Sequence, residues 1–135
     1  MAYALISCVK RKLSRRCPAR EMYSASVLFR KAYGYCKSRG LTVLILSTKY
    51  GLIVPETYIE PYNETLNGQP RRRVREWAAG VSAGLHELLP PGSSVELHAG
   101  RNYTCFLDLS PYQVSDPLHG LRIGRKLQWY TEQLK

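Results

Sequence analysis

Apolar residues fall into two kinds of run along the 135-residue chain. Some are short and unbroken: Tyr3 to Cys8, Leu41 to Leu46, Ser94 to His98 and, less strongly apolar, Tyr112 to Ser115. Runs of this length predict strands, and the first two are apolar enough to be buried on both faces. Elsewhere the apolar positions recur at helical spacing. Val27, Leu28, Ala32, Tyr35 and Cys36 predict a helix that Ser24 or Ser26 caps and Arg39-Gly40 ends. Val74, Trp77, Ala78, Val81, Leu85 and Leu88 predict a second, from Arg71 to Leu89, closed by Pro90-Pro91-Gly92. A third opens at Gly100 or Arg101 and runs through Phe106, Leu107 and Leu109 until Pro111 breaks it. A fourth, Ile123 to Leu134, carries Ile123, Leu127, Tyr130 and Leu134 on one face.

Strand and helix thus alternate, and parallel neighbours require a crossover. The order predicts one α/β domain over residues 1–135: a four-stranded parallel sheet with helices on both faces, in three layers. All four strand ends would then share one edge, where open sheets of this type bind ligands. That edge would gather Ser7, Cys8 and Lys10, then Ser47, Lys49, Tyr50 and Gly51, then His98, Gly100 and Arg101, and last Asp116 with His119. The stretch from Ser47 to about Pro70 is longer than structureless loops usually are, and its tyrosines and prolines predict an ordered, functional one.

With 44% of residues apolar, the chain can bury one sizeable core. Twenty Lys and Arg against ten Asp and Glu give a formal charge of +10, which favours a polyanion such as nucleic acid, nucleotide or anionic lipid. A merely solvated basic surface is the bland alternative. There is no apolar stretch near the ~20 residues of a bilayer helix, and no signal-peptide pattern at the start, so a cytoplasmic location without membrane attachment is expected. Cys8, Cys17, Cys36 and Cys105 form no Cys-x-x-Cys pair. Reduced thiols are expected, and neither a metal nor another cofactor is called for.

The expected rim suits an anion with a flat group attached. Lys10, Lys49 and Arg101 are cations, and a helix starting at Gly100 would add free N–H groups and a positive dipole end. Tyr50, Tyr62 and Tyr103 offer faces on which a base could stack. Gly51 and Gly100 allow close backbone approach, or simply make turns. For proton handling, Asp116 is the first choice and Glu60 the second, with His98 or His119 as acid or electrostatic partner. An Asp before Pro is also a common turn former, and a strand-end histidine is often structural. Cys8 beside Lys10 would serve as a nucleophile, or be a buried strand-end residue. Lys12, Arg20 and Arg71, Arg72 and Arg73 are candidate phosphate contacts.

Several spaced motifs carry a resemblance. They are Leu5-Ile6-Ser7-Cys8-Val9-Lys10 with Lys12; Ala19-Arg20 with Tyr23, Ser26 and Phe29; Leu46-Ser47 with Lys49-Tyr50-Gly51-Leu52; Pro61-Tyr62; Ala99-Gly100-Arg101 with Tyr103; and Pro117-Leu118 with Gly120-Leu121 and Ile123-Gly124. Together they resemble an uncharacterised domain family of bacteria, archaea and phages. Tyr50-Gly51-Leu52 with Pro61-Tyr62 is similar to the signature of the peroxide-stress YaaA family, whose members are associated with DNA binding. The Ser7-Cys8-x-Lys10 opening is similar to the domain of archaeosine synthase that resembles uracil-DNA glycosylases. Those are four-stranded parallel α/β proteins with a Pro-Leu loop after the last strand, which Asp116-Pro117-Leu118-His119-Gly120 resembles. The resemblance thus implies a uracil-DNA-glycosylase-like fold, although the helix-hairpin-helix of YaaA proteins and the water-activating Asp-Pro-Tyr of the glycosylases are not found here.

Residues and resemblance together predict an enzyme of nucleic acid, DNA ahead of RNA, or of nucleotides, that cleaves or exchanges the N-glycosidic bond. Tyr50 or Tyr62 would pack on a flipped base, Lys49 and Arg101 hold phosphate, and Asp116 or Glu60 orient water or stabilise the sugar cation. The alternative is a non-catalytic DNA- or RNA-binding protein of YaaA-like type, gripping phosphates with Lys10, Lys12, Arg15, Arg16 and Arg71 to Arg73. A transferase acting on a free nucleotide is a third possibility.

Overall fold

In the computed structural model, which describes residues 2–135, the first apolar run forms β1 (Ala2–Ser7) at the centre of the sheet. The basic segment after it is partly ordered as β2 (Cys17–Pro18) and a single turn, α1 (Ala19–Met22). The first long helix, α2 (Val27–Ser38), is capped by Ser26, whose Oγ accepts from the Phe29 N–H at 3.2 Å. It leads to β3 (Thr42–Ser47), then β4 (Gly51–Ile53) and β5 (Tyr58–Ile59). The second half holds α3 (Arg71–Leu88), β6 (Ser94–His98), α4 (Arg101–Thr104), β7 (Gln113–Ser115) and α5 (Ile123–Gln133).

The main sheet has the order β4-β3-β1-β6-β7, and β2 pairs with β5 in a separate antiparallel ribbon. Strands β1, β3, β6 and β7 are parallel, as the alternation of runs implies. The plain four-stranded parallel sheet is nevertheless corrected: a fifth strand, β4, lies antiparallel on the free edge of β3, with Ser47 opposite Gly51 and Ile45 opposite Ile53. The reversal depends on Gly51, whose φ of 73° lies in the left-handed region that side chains disfavour. Ser47 Oγ holds the turn by accepting the Tyr50 N–H at 3.1 Å.

The third helix is also shorter than its apolar spacing predicts. It ends at Thr104: after the Cys105 N–H bonds the Arg101 carbonyl, the Leu107 N–H closes a tighter turn on the Thr104 carbonyl at 3.1 Å, and the Asp108 N–H leaves for Ser82 Oγ of α3 at 2.9 Å. A four-residue turn has little dipole to offer, so the anion site expected at the start of a helix at Gly100 is reduced to side chains.

Strands β1 and β3 are buried on both faces, and their alternation divides the core. Ala4, Ile6, Val43 and Ile45 face α2 and α5, whereas Leu5, Leu44 and Leu46 face Val81 and Leu85 of α3. This is a three-layer α/β/α arrangement. From β1 the chain crosses by α2 to β3 on one side, then returns by α3 to β6 on the other side of β1. The switch of direction falls between β1 and β6, where the two connections leave on opposite faces and open a crevice at the carboxyl ends.

Candidate functional site

Three strand ends meet at that crevice. Cys8, just past β1, is tied to the end of β3 by its N–H, which donates to the Leu46 carbonyl at 2.9 Å. Its Sγ lies 3.3 Å from Thr48 Oγ1, past β3, and donates to the Tyr103 hydroxyl, past β6, at 3.5 Å. Thr48 and Tyr103 are themselves 3.4 Å apart. Burial pushes the Tyr103 phenol up to about 12, with the neighbouring Cys8 acting the same way and Thr48 and Thr65 opposing, so it keeps its proton at neutral pH.

Cys8 and Tyr103 form the floor of a cavity of about 340 Å³. One wall is the Val9–Lys12 segment, with Lys10 and Lys12. The other is the loop after Tyr62, with Asn63, Glu64, Thr65 and Asn67. Glu64 and Thr65 also border a second hollow of about 290 Å³, shared with Thr48, Arg73 and Trp77. Lys12 is half-buried. Its ammonium donates to the Lys10 carbonyl at 3.2 Å and rests 4.6 Å from the centre of the Tyr62 ring. Burial lowers its pKa from the ordinary lysine value, with Cys8 acting in the opposite direction.

Behind this cavity a chain of hydroxyls fixes the long loop to the sheet. Tyr62 OH lies 2.6 Å from Tyr23 OH and 2.9 Å from Ser47 Oγ, while the Ser47 carbonyl accepts from Trp77 Nε1 at 2.9 Å. Burial raises the pKa of both tyrosines, that of Tyr23 to about 12. Ser47 and Tyr62 therefore act as framework: they hold the loop so that Asn63 and Glu64, directly after it, reach the cavity.

The residues picked out on the sequence divide accordingly. Cys8, Lys10, Lys12 and Tyr103 line the cavity, and Ser7 closes β1 just before it. Lys49, Tyr50 and Gly51 form the β3–β4 turn and line a different depression, between β4 and α3. Tyr50 packs edge-on against Tyr62, and its hydroxyl accepts the Glu60 N–H at 3.1 Å. Gly100, Arg101, Asp116 and His119 border a hollow of about 590 Å³ on the far side of α4, with His119 Nδ1 3.5 Å from an Asp116 carboxylate oxygen. Glu60 sits in an exposed ion pair with Arg16 at 3.6 Å. Arg20 and Arg72 pair with Glu21 and Glu76, whereas Arg71 and Arg73 face hollows beside the loop.

His98 points the other way. It is buried between β6 and α5, with Nδ1 2.6 Å from Tyr130 OH and Nε2 2.8 Å from a Glu96 oxygen. Burial lowers its pKa, against the opposing pull of Glu96 and Asp116. The unfolded chain therefore takes up this proton near 6.5 while the folded one resists it. Stability from this group is full above that pH and is lost as pH falls below it. Urea denaturation from about pH 8 to pH 5 should show this decline, and His98→Gln should flatten it. A slope unchanged by the substitution would assign the decline to another group.

The carboxylate and amides of the cavity, Glu64, Asn63 and Asn67, are absent from the expected set. The available signal was the polar run Asn63-Glu64-Thr65, placed directly after Pro61-Tyr62 within a loop already too long to be idle.

Fold and cleft define the class: an open α/β domain with a polar cavity at the switch point of its sheet. The chain belongs to DUF6884, a family of unknown function whose model matches residues 3–132. Comparison with curated proteins gives no match.

Proposed function

We propose that the cavity beneath Glu64 receives a nucleobase with its sugar, and that the chain cleaves or exchanges the N-glycosidic bond of nucleic acid or nucleotide. The observation that carries this reading is the meeting of one carboxylate, Glu64, with Lys12, Tyr103 and two amides around about 340 Å³. That volume is at the lower end of small-molecule sites, suited to one nucleoside. Asn63 and Asn67 supply donors and acceptors for the edge of a base. In hydrolysis the C1′–N bond breaks with its electron pair going to the base, which takes a proton from Lys12. Glu64 stabilises the cationic sugar and removes a proton from the water that attacks C1′. In exchange, an incoming base takes the place of water.

The charge of +10 supports a polyanionic substrate. The sequence resemblance to the peroxide-stress YaaA family and to the uracil-DNA-glycosylase-like domain of archaeosine synthase points the same way. The test is incubation with DNA, RNA and free nucleotides, modified and unmodified, followed by mass spectrometry of released bases. A free base appearing with the protein, and not without it, is the expected result. Tight binding with no base released from any of these would replace this reading with the non-catalytic one.

A further inference from the structure

We infer that the ligand of this site is a single strand of nucleic acid rather than a free nucleotide, held in a track that runs away from the base cavity over α4; this rests on reading that cavity as a base site. Two more hollows continue it, of about 640 and 590 Å³. Asn67 is common to the base cavity and the first hollow, and Arg101 and Cys105 are common to the first and the second. Arg71, Arg101 and Lys126 line this run against one carboxylate, Asp116, which has His119 beside it. Among the described residues none of the three cations takes part in an ion pair, unlike Arg16, Arg20 and Arg72. Their charge is free for phosphates.

A mononucleotide fills the base cavity and needs one anion contact at its mouth. Cations spread over two further hollows match successive phosphates of a longer chain. Phe106 lines the first hollow together with Arg71 and Arg101, and its ring carries Arg75 4.8 Å from its centre, so an aromatic side chain and a further cation border the track. Asn102 Nδ2 donates to Asn67 Oδ1 and forms the divide between track and cavity. A strand lying in the track would turn one base across that divide into the cavity, as enzymes acting on bases require.

The test uses fluorescein-labelled single-stranded DNA and RNA of one sequence and about 12 nucleotides. Binding is read by anisotropy over a salt series, beside competition by nucleoside monophosphates. Arg71→Ala with Arg101→Ala should weaken strand binding at least tenfold and flatten the slope of log K on log salt by about 1.4, that is, 0.7 per lost contact. Lys37→Ala with Lys135→Ala, two exposed cations on residues outside the track, is the control for bulk charge. Equal losses in the two double variants, or monophosphates binding as tightly as the strand, would overturn the inference. Base release from free nucleotides, with strand binding that does not depend on the two arginines, would sink the track and spare the cavity chemistry. Strand affinity that depends on the two arginines, with no base ever released, would do the reverse.

Discussion

Glu64→Gln is expected to lower base release by about 10² to 10⁴, the range over which a positioned acid or base contributes, while binding of the uncleaved substrate survives. The amide keeps the size of the side chain and loses what the reaction requires of it: a negative charge facing the sugar cation, and a lone pair able to accept a proton from water. Glu64 is exposed on the wall of the cavity, so the fold does not depend on it. A fall in activity without a fall in melting temperature would therefore report on chemistry. Asp116→Asn and Glu60→Gln are the informative controls. Glu60 is paired with Arg16 in solvent, so its change should leave activity intact; Asp116 borders the track beyond α4, so its change should alter strand affinity and not the chemical step. Full activity in Glu64→Gln, or its loss in Asp116→Asn instead, would move the chemistry out of the Cys8 cavity.

How much of this was legible in the chain depends on what local pattern can encode. Strands β1, β3 and β6 are unbroken apolar runs, and residues directly after such runs must lie at strand ends. The runs alone therefore place Cys8 and Lys10 at the end of β1, and Tyr103 a few positions after β6. Strand β4 has no such signal: it has three residues, and it exists because Gly51 adopts positive φ, a choice that a plain turn would explain equally well. Strand order was also hidden. Asp116 follows a parallel strand, as expected, but β7 is the outermost one, and α4 stands between its end and the cavity at β1.

His98 illustrates a different limit. Its position at a strand end was readable, but its direction depends on which side of the sheet each residue faces. His98 is in register with Ile6, and both face the α2 and α5 layer, where a tyrosine hydroxyl and Glu96 satisfy the ring. Glu64 was the hardest to see. It lies far along a loop whose path is set by bonds to distant residues, Tyr62 to Tyr23 and Ser47 above all, and no spacing rule encodes those.

Lys12 carries the second large effect, because a departing base requires a proton as its bond to C1′ breaks. Burial has already weakened the hold of this ammonium on its proton, so it gives the proton up more readily than a solvated lysine would. Lys12→Met should reduce base release by about 10² or more. The acid works only while protonated, so the rate should fall as pH rises through the lowered pKa of Lys12, placing the alkaline limb of the profile below 10.5. Tyr103, held up near 12, titrates too late to produce that limb. Lys12→Arg separates charge from proton transfer: guanidinium keeps the cation beside the Tyr62 ring but does not deprotonate in the accessible range. It should therefore retain substrate affinity, lose most of the rate and abolish the alkaline limb. An arginine variant with full rate and the same limb would show that the proton comes from another group, leaving Lys12 the role of an anion contact.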